Sequence, residues 1–314
     1  MNPLLPDEAL ELRATAAKAF AALGGVDLAR SAEDDPTVRA KEVAPVLAEL
    51  GLDDLDPWAD PVALAAAAAV CEAAGRVALP YPVAGFLVRD ADGRPTAVVP
   101  NDLARVDHGD LFEQWRVVRA DGAASVVAAT SPALGSRLGP FVADLHVLDG
   151  SVAPAHLDAL LHLTLSAWSV LGTVDRAVEL AVEHANGRVQ FGKPIASFQA
   201  VQFQLADSAV AVAGLRELAG FTLWRLGADP DRARPDVLAL RLHALEVARS
   251  VLRTCQQLHG AAGVCDEYDI SVLTRMVQPA LRLPWSTERT ATALADAIRV
   301  DGFDGLFPHA QAAS

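Results

Sequence analysis

The C-terminal half of this chain is made of long helical patterns joined by short corners, and that leaves few folds open to it. Ala155 to about Gly187 reads as one uninterrupted helix. Phe198 to Gly227 reads as the next, and Pro235 to about His259 as a third. Ile270 to about Val300 reads as a fourth, with Pro279 and Pro284 as places where it can break. Short connections force neighbours to run in opposite directions, so these helices pack as an antiparallel bundle. Composition agrees. Hydrophobic residues make up 52%, dominated by Ala and Leu, and aromatics only 5%, which suits packed helices better than a sheet-rich fold.

The N-terminal region is also helical in pattern. Leu5, Leu10, Leu12, Ala16, Phe20 and Leu23 give an amphipathic face that Gly24-Gly25 stops. Glu42 to Leu50 forms a short helix closed by Gly51. Asp60-Pro61 opens another, because Asp caps a helix and Pro suits its first turn. Pro80-Tyr81-Pro82 ends it. The segment 83–150 is different. Gly, Pro and Asp punctuate short β-prone pieces at Ala97 to Val99, Trp115 to Val118, Ser125 to Val127 and Leu145 to Leu148. The expected fold is therefore mainly α with a small β region: an N-terminal helical domain (1–82), a reduced middle β-domain (83–150) and a C-terminal four-helix bundle (151–314).

The net charge of −14 disfavours nucleic acid and anionic membrane as partners, since no Lys or Arg run offsets it. The apolar run Val62 to Cys71 is too short to span a bilayer. Cys71, Cys255 and Cys265 form neither a disulfide framework nor a zinc spacing. All are expected to be small core residues in a reducing cytoplasm, with no bound metal. The acidic N-terminus has no long apolar segment of the signal-peptide kind.

Arg188-Val189-Gln190-Phe191-Gly192-Lys193-Pro194-Ile195 is the corner between the first two bundle helices. Two readings of it stand. The Arg188 guanidinium presents a fork of donors that matches a pyrophosphate, and Phe191 can pack beside a flat ring. Alternatively, Arg188 caps its own helix dipole while Phe191 and Ile195 staple the corner.

The pattern R-x-x-F-G-x-P-I-x-x-F-Q-x-x-Q-x-x-L-A-D, running from Arg188 to Asp207, resembles a motif of the acyl-CoA dehydrogenase family. A second match follows downstream. Gln257 to Gly263, then Glu267-Tyr268 and Arg275, looks like the family's Q-x-x-G-G-x-G loop. The resemblance implies a family-like fold and a half-site for the ADP part of FAD, lent to a neighbouring subunit. Arg188, Phe191 and Gly192 would serve the pyrophosphate corner. Gln257 would bond near the adenosine ribose, and Gly260 and Ala261 would let backbone approach the adenine end. Ala261 stands where the family usually has a second Gly.

The departures are equally informative. The family's catalytic Glu would fall within Leu283-Pro284-Trp285-Ser286-Thr287, which has no carboxylate, and Glu288 comes three to four residues late. An alternative position for the base falls at His162. Its simpler reading is a polar residue facing solvent or a partner. The family's flavin-ring turn is absent, and Thr130 to Ser136 is a poor echo of it. Together these features resemble the short subunits of actinobacterial heterotetrameric acyl-CoA dehydrogenases, several of which act on steroid-derived CoA esters. The resemblance implies an acyl-CoA substrate, a longer homologous partner chain in an α2β2 assembly, and an electron-transferring flavoprotein as acceptor. Two alternatives remain: a self-sufficient homo-oligomer with a displaced base, His162 or Glu288, and a non-catalytic stabilising subunit.

Overall fold

A computed structural model describes residues 4–100, 105–121, 125–152 and 155–303. The N-terminal helices are α1 (Asp7–Ala22), α2 (Val26–Asp34), α3 (Ala44–Glu49), α4 (Pro61–Arg76) and α5 (Val83–Leu87), with a π-helical turn at Arg39–Val43 before α3. Ala9, Ala16 and Phe20 form the buried stripe of α1, whereas Leu10 is exposed. Asp60 caps α4 as its position suggests, accepting from the backbone N–H groups of Val62 and Ala63 at 2.8 Å. Sequence reading missed α2. Its buried face, Val26 and Ala29, packs on Val272 and Leu273, so its partner lies far along the chain.

The middle strands are β1 (Thr96–Val99), β2 (Arg105–Val106), β3 (Trp115–Arg119), β4 (Ser125–Thr130) and β5 (Ala143–Val152). They form one five-stranded sheet in the order β1-β3-β4-β5-β2. Only β1 and β3 run parallel; the other pairs are antiparallel. Trp115, Val117, Ala97, Val99, Val106, Ala128 and Leu145 make its core. The Trp115 indole N–H donates to the Gly109 carbonyl at 3.1 Å, so its burial leaves no orphan donor.

The C-terminal helices are α6 (His156–Gly187), α7 (Gln199–Ala228), α8 (Arg234–His259), α9 (Asp269–Met276), α10 (Gln278–Arg282) and α11 (Thr287–Asp301), with a short ribbon β6 (Val189–Gln190) and β7 (Lys193–Pro194) at the first corner. The fourth helical run is indeed broken, at the two prolines that its sequence flagged. α6 is central and packs on α4, α7 and α8. By length and composition it could cross a membrane, but 72% of its most apolar window is buried inside the bundle.

α4 and α6 pack closely against each other. A Cβ on Gly75 would lie 1.9 Å from the Ser169 carbonyl oxygen, and one on Gly172 2.0 Å from that of Glu72. The helix backbones touch because both glycines lack a side chain. Beside them Glu72, 2% exposed, bridges Arg13 of α1 (3.0 Å) and Arg216 of α7 (2.8 Å). That pairing compensates a charge which burial alone would not tolerate. Cys71 and Cys255 are core residues as expected, but Cys265 is exposed. It follows a 3-10 turn outside the helical core and donates to the Ala261 carbonyl.

Candidate functional site

Two places carry the sequence's candidate residues: a surface corner and a half-open cavity. At the corner, α6 ends on Arg188, whose N–H still bonds the His184 carbonyl at 2.8 Å. The guanidinium is exposed, and no acceptor pairs with it among the described residues. β6 and β7 turn through Phe191 (φ 53°) and Gly192 (φ 79°), the backbone of a tight hairpin with positive φ at both central positions. Glycine accepts this readily, whereas phenylalanine does so only with strain. Phe191 is nevertheless 90% exposed. The stapling role is therefore excluded for Phe191; its ring stands at right angles to that of Phe198, 6.2 Å between centroids.

The second motif lies alongside. His184, near the end of α6, stacks on His259, the last residue of α8, with ring centroids 4.4 Å apart. This contact brings the end of α6 against the end of α8, and Arg188, Gln257, Gly260 and Ala261, which lie near those ends in the chain, are all exposed. Gly260 sits at φ 63°, where a side chain would be strained, and donates to the Gln257 carbonyl. Ala261 lies in a 3-10 turn with no positive φ, so its methyl group costs the backbone nothing. Arg275 is not part of this surface. It is buried and pairs with Glu33 at 2.6 Å and Asp266 at 3.1 Å, tying α9 to α2.

The cavity, about 180 Å³, lies where α4, α5, the sheet, α6, α8 and the α9–α10 segment meet. His162, Ser166, Ser169 and Thr173 form a polar stripe on α6 at helical spacing, and all line it. His162, whose simpler reading is a polar residue facing solvent or a partner, is half-buried and lines this half-open cavity, as a polar stripe on an apolar helix can. The hydroxyls are satisfied by backbone carbonyls, Ser166 by His162 and Thr173 by Gly75 and Ser169. His162 Nδ1 is buried without a partner. Burial, with the charges of Arg241 and Arg116, pushes its pKa down to about 4. A group so weakly basic suits general-base work at neutral pH poorly.

Sequence reasoning missed two residues here. Asp107, on the turn after β2, lines the cavity and keeps 29% of its side-chain surface. Burial pushes its carboxyl up to about 7, against the lowering pull of the His108 N–H and of Arg39. Next to it His108 is held by Arg39 (3.2 Å), which also pairs with Asp110 (2.5 Å) and covers the Phe141 ring. The second missed residue is Arg241 of α8, 4% exposed. It donates from Nη2 to the carbonyls of Leu283 (2.7 Å) and Trp285 (2.9 Å), holding the loop where a catalytic Glu was sought. Neither residue belongs to a local motif, because the fold brings them together from separate regions. Glu288 is exposed on the first turn of α11, outside the cavity wall. No residue of Thr130 to Ser136 reaches the cavity, and Thr130 instead donates to the Gly109 carbonyl.

A family model described as acyl-CoA dehydrogenase, C-terminal domain, matches residues 163–283. The acyl-CoA dehydrogenase IpdE2 of Mycobacterium tuberculosis is 31% identical over 242 residues, 70% of this chain and 73% of that protein. The chain belongs to the acyl-CoA dehydrogenase family. Other curated relatives are matched over 44% and 26% of their own length. Among solved structures, a chain of the ChsE4-ChsE5 complex from Mycobacterium tuberculosis superposes with a TM-score of 0.78 at 20% identity, covering 96% of this chain and 99% of that one. A chain of the Tcur3481-Tcur3483 steroid ACAD gives 0.76 at 20% identity, covering 94% and 99%. At that identity the likeness is one of fold.

The family is FAD-dependent. The corner fits such a group: an exposed guanidinium with no acceptor among the described residues and a strained, exposed aromatic ring follow the end of α6, and a glycine with positive φ follows the end of α8, where His184 meets His259. The cavity side does not offer the ring turn, since no residue of Thr130 to Ser136 lines it.

Proposed function

We propose that this chain is one subunit of a heteromeric acyl-CoA dehydrogenase that converts a bulky acyl-CoA to a 2-enoyl-CoA. A longer homologous chain would complete an α2β2 assembly. The observation that carries this reading is a contrast. Arg188, Phe191, Gly192, Gln257, Gly260 and Ala261 are all exposed, while the loop Leu283 to Thr287 has no carboxylate. Arg188 would pair with the pyrophosphate of an FAD lying mostly in the partner, and Phe191 would cover it. Bound FAD supplies the acceptor for the hydride that leaves the substrate's β-carbon. The partner supplies the base for the α-proton and the cradle for the flavin ring. An electron-transferring flavoprotein would reoxidise the flavin, and the complex would work in the cytoplasm.

An apolar strip on α7 supports a protein partner. Phe203 and Val210, 59% and 72% exposed, lie two turns apart on one face beyond the corner. Pairing is further supported by the fold's likeness to a chain of the ChsE4-ChsE5 complex, and a steroid-derived acyl group by the likeness to a steroid ACAD.

A second reading, a self-sufficient enzyme, is favoured by Asp107. It is a cavity carboxyl raised to about 7, the range that a base for neutral pH needs. Turnover of acyl-CoA with an artificial electron acceptor separates the two. The chain co-expressed with a longer family member should be active, and the chain alone inactive. Activity of the chain alone, abolished by Asp107→Asn, would establish the second reading instead.

A further inference from the structure

We propose that His184 is a further residue of the Arg188 corner: it takes up a proton from solvent when a diphosphate binds there, and shares that anion with Arg188. The inference rests on the reading of the corner as a diphosphate seat and deepens it. His184 stands four residues before Arg188, so the two leave α6 on the same face, about one turn apart. The Arg188 N–H donates to the His184 carbonyl at 2.8 Å, which ties the two backbones together. The His184 ring is held in place. It stacks on His259 with centroids 4.4 Å apart and 28° between the planes. His259 is itself fixed, since it is 8% exposed and its Nδ1 lies 2.7 Å from the Cys255 carbonyl. A carbonyl only accepts, so His259 carries a proton on Nδ1.

The charges around His184 are one-sided. The ring is half-buried, and neither of its nitrogens has a hydrogen-bond partner among the described residues. Burial, then His259 of α8 and Arg188, hold its pKa below the ordinary value, and no carboxylate pulls the other way. Other histidines do have an acid nearby: His156 lies 3.7 Å from Asp231 and His108 3.6 Å from Asp107. The remaining charges on α6 and on the elements that pack against its end are engaged elsewhere. Glu183 pairs with Arg176 at 3.0 Å, and Lys193 lies over the Phe198 ring. On α9, Asp269 holds Arg30 at 2.9 Å and Arg275 holds Glu33 at 2.6 Å.

The free chain therefore keeps His184 neutral at neutral pH. An anion on Arg188 reverses the balance, because an opposite charge favours the protonated ring. Between the pKa of the free ring and the higher one of the occupied site, binding takes up a proton, so affinity rises as pH falls. In the assembled enzyme the same linkage makes flavin retention loosen as pH rises. A simpler role, packing the end of α6 on the end of α8, needs only the stack. It predicts that any flat ring serves at position 184, whereas proton uptake needs the imidazole.

The test uses the full chain and ADP-ribose, whose diphosphate is esterified at both ends and does not titrate near neutral pH. Calorimetry in two buffers of different ionisation enthalpy reads the proton taken up on binding. The parent should show net uptake and bind about tenfold more tightly at the acid end of the window than at the alkaline end, the factor given by a one-unit rise in the His184 pKa. His184→Phe keeps a ring against His259 and should bind with neither proton uptake nor that pH dependence. Should this variant fail to fold, the His184 ring proton followed by NMR in the parent decides: its titration midpoint should rise when ADP-ribose is added. Uptake that persists in His184→Phe, or a midpoint that does not move, would overturn the proposal. Arg188→Ala separates the two readings. Binding that needs Arg188 yet carries no proton linked to His184 leaves the corner reading standing and sinks this one. Binding indifferent to Arg188, or no binding by the full chain, sinks both.

Discussion

The corner after α6 and the loop after α10 both lie where bundle helices end, yet they are built in opposite ways. The corner presents an unpaired Arg188 and a strained Phe191 to solvent. The loop Leu283 to Thr287 turns inward, is held by Arg241, and offers no acid. Neither exposed side chain at the corner contributes much to this chain's own packing. Residues that strain or idle in one chain gain a purpose when they touch something outside it. The loop shows the reverse: its fold is kept by Arg241, while the group that would make it a base is missing.

This contrast predicts that interior changes act on stability and corner changes on flavin. Gly172→Val should have the largest effect, about 4 kcal/mol or more of destabilisation, because its side chain would meet the Glu72 carbonyl. Chemical denaturation would measure it, and a well-folded variant would break the close-packed half of the comparison. Glu72→Ala should follow at roughly 1–3 kcal/mol, since it removes the shared buried partner of Arg13 and Arg216. At the corner, Arg188→Ala should shift the melting temperature negligibly. In the assembled complex it should weaken flavin retention by about 1.5–3 kcal/mol, the worth of a charge-assisted hydrogen bond.

The cavity adds a pH signature. Asp107 is raised in the fold to about 7 from 3.8, so its ionisation costs stability progressively as pH rises between those values. His162 is lowered to about 4 from 6.5, so its protonation costs stability as pH falls through that window. The two slopes oppose each other. Asp107→Asn should remove the first, so that thermal stability climbs more steeply with pH between about 4 and 6.5 than in the parent. A parallel pH profile would remove Asp107 from the account. The smallest effect is expected for Phe191→Gly. Relief of its positive φ should stabilise the chain by roughly 0.5–1 kcal/mol while lowering flavin retention in the complex.

The sequence made the bundle and the corner readable because both are local. The helices declare themselves by periodicity and by Pro and Gly stops. The corner is a contiguous run from Arg188 to Asp207. The β segments Ala97 to Val99 and Trp115 to Val118 were found by type, but their parallel pairing was not, since it depends on a crossover. The cavity was hidden for the same reason. Asp107, His162 and Arg241 come from a sheet turn and two helices, and nothing in their neighbours marks them. His162 was noticed, but its surroundings were left open, because periodicity distinguishes polar from apolar faces, not solvent from cavity.

The central claim is that the Arg188 corner serves a flavin shared with another chain. The most direct measurement is flavin bound per complex after co-expression with a longer family member, for the parent and for Arg188→Glu. The account predicts one FAD per unlike pair in the parent, and its loss in the variant with subunit pairing and melting temperature unchanged. Full flavin content in Arg188→Glu would contradict it.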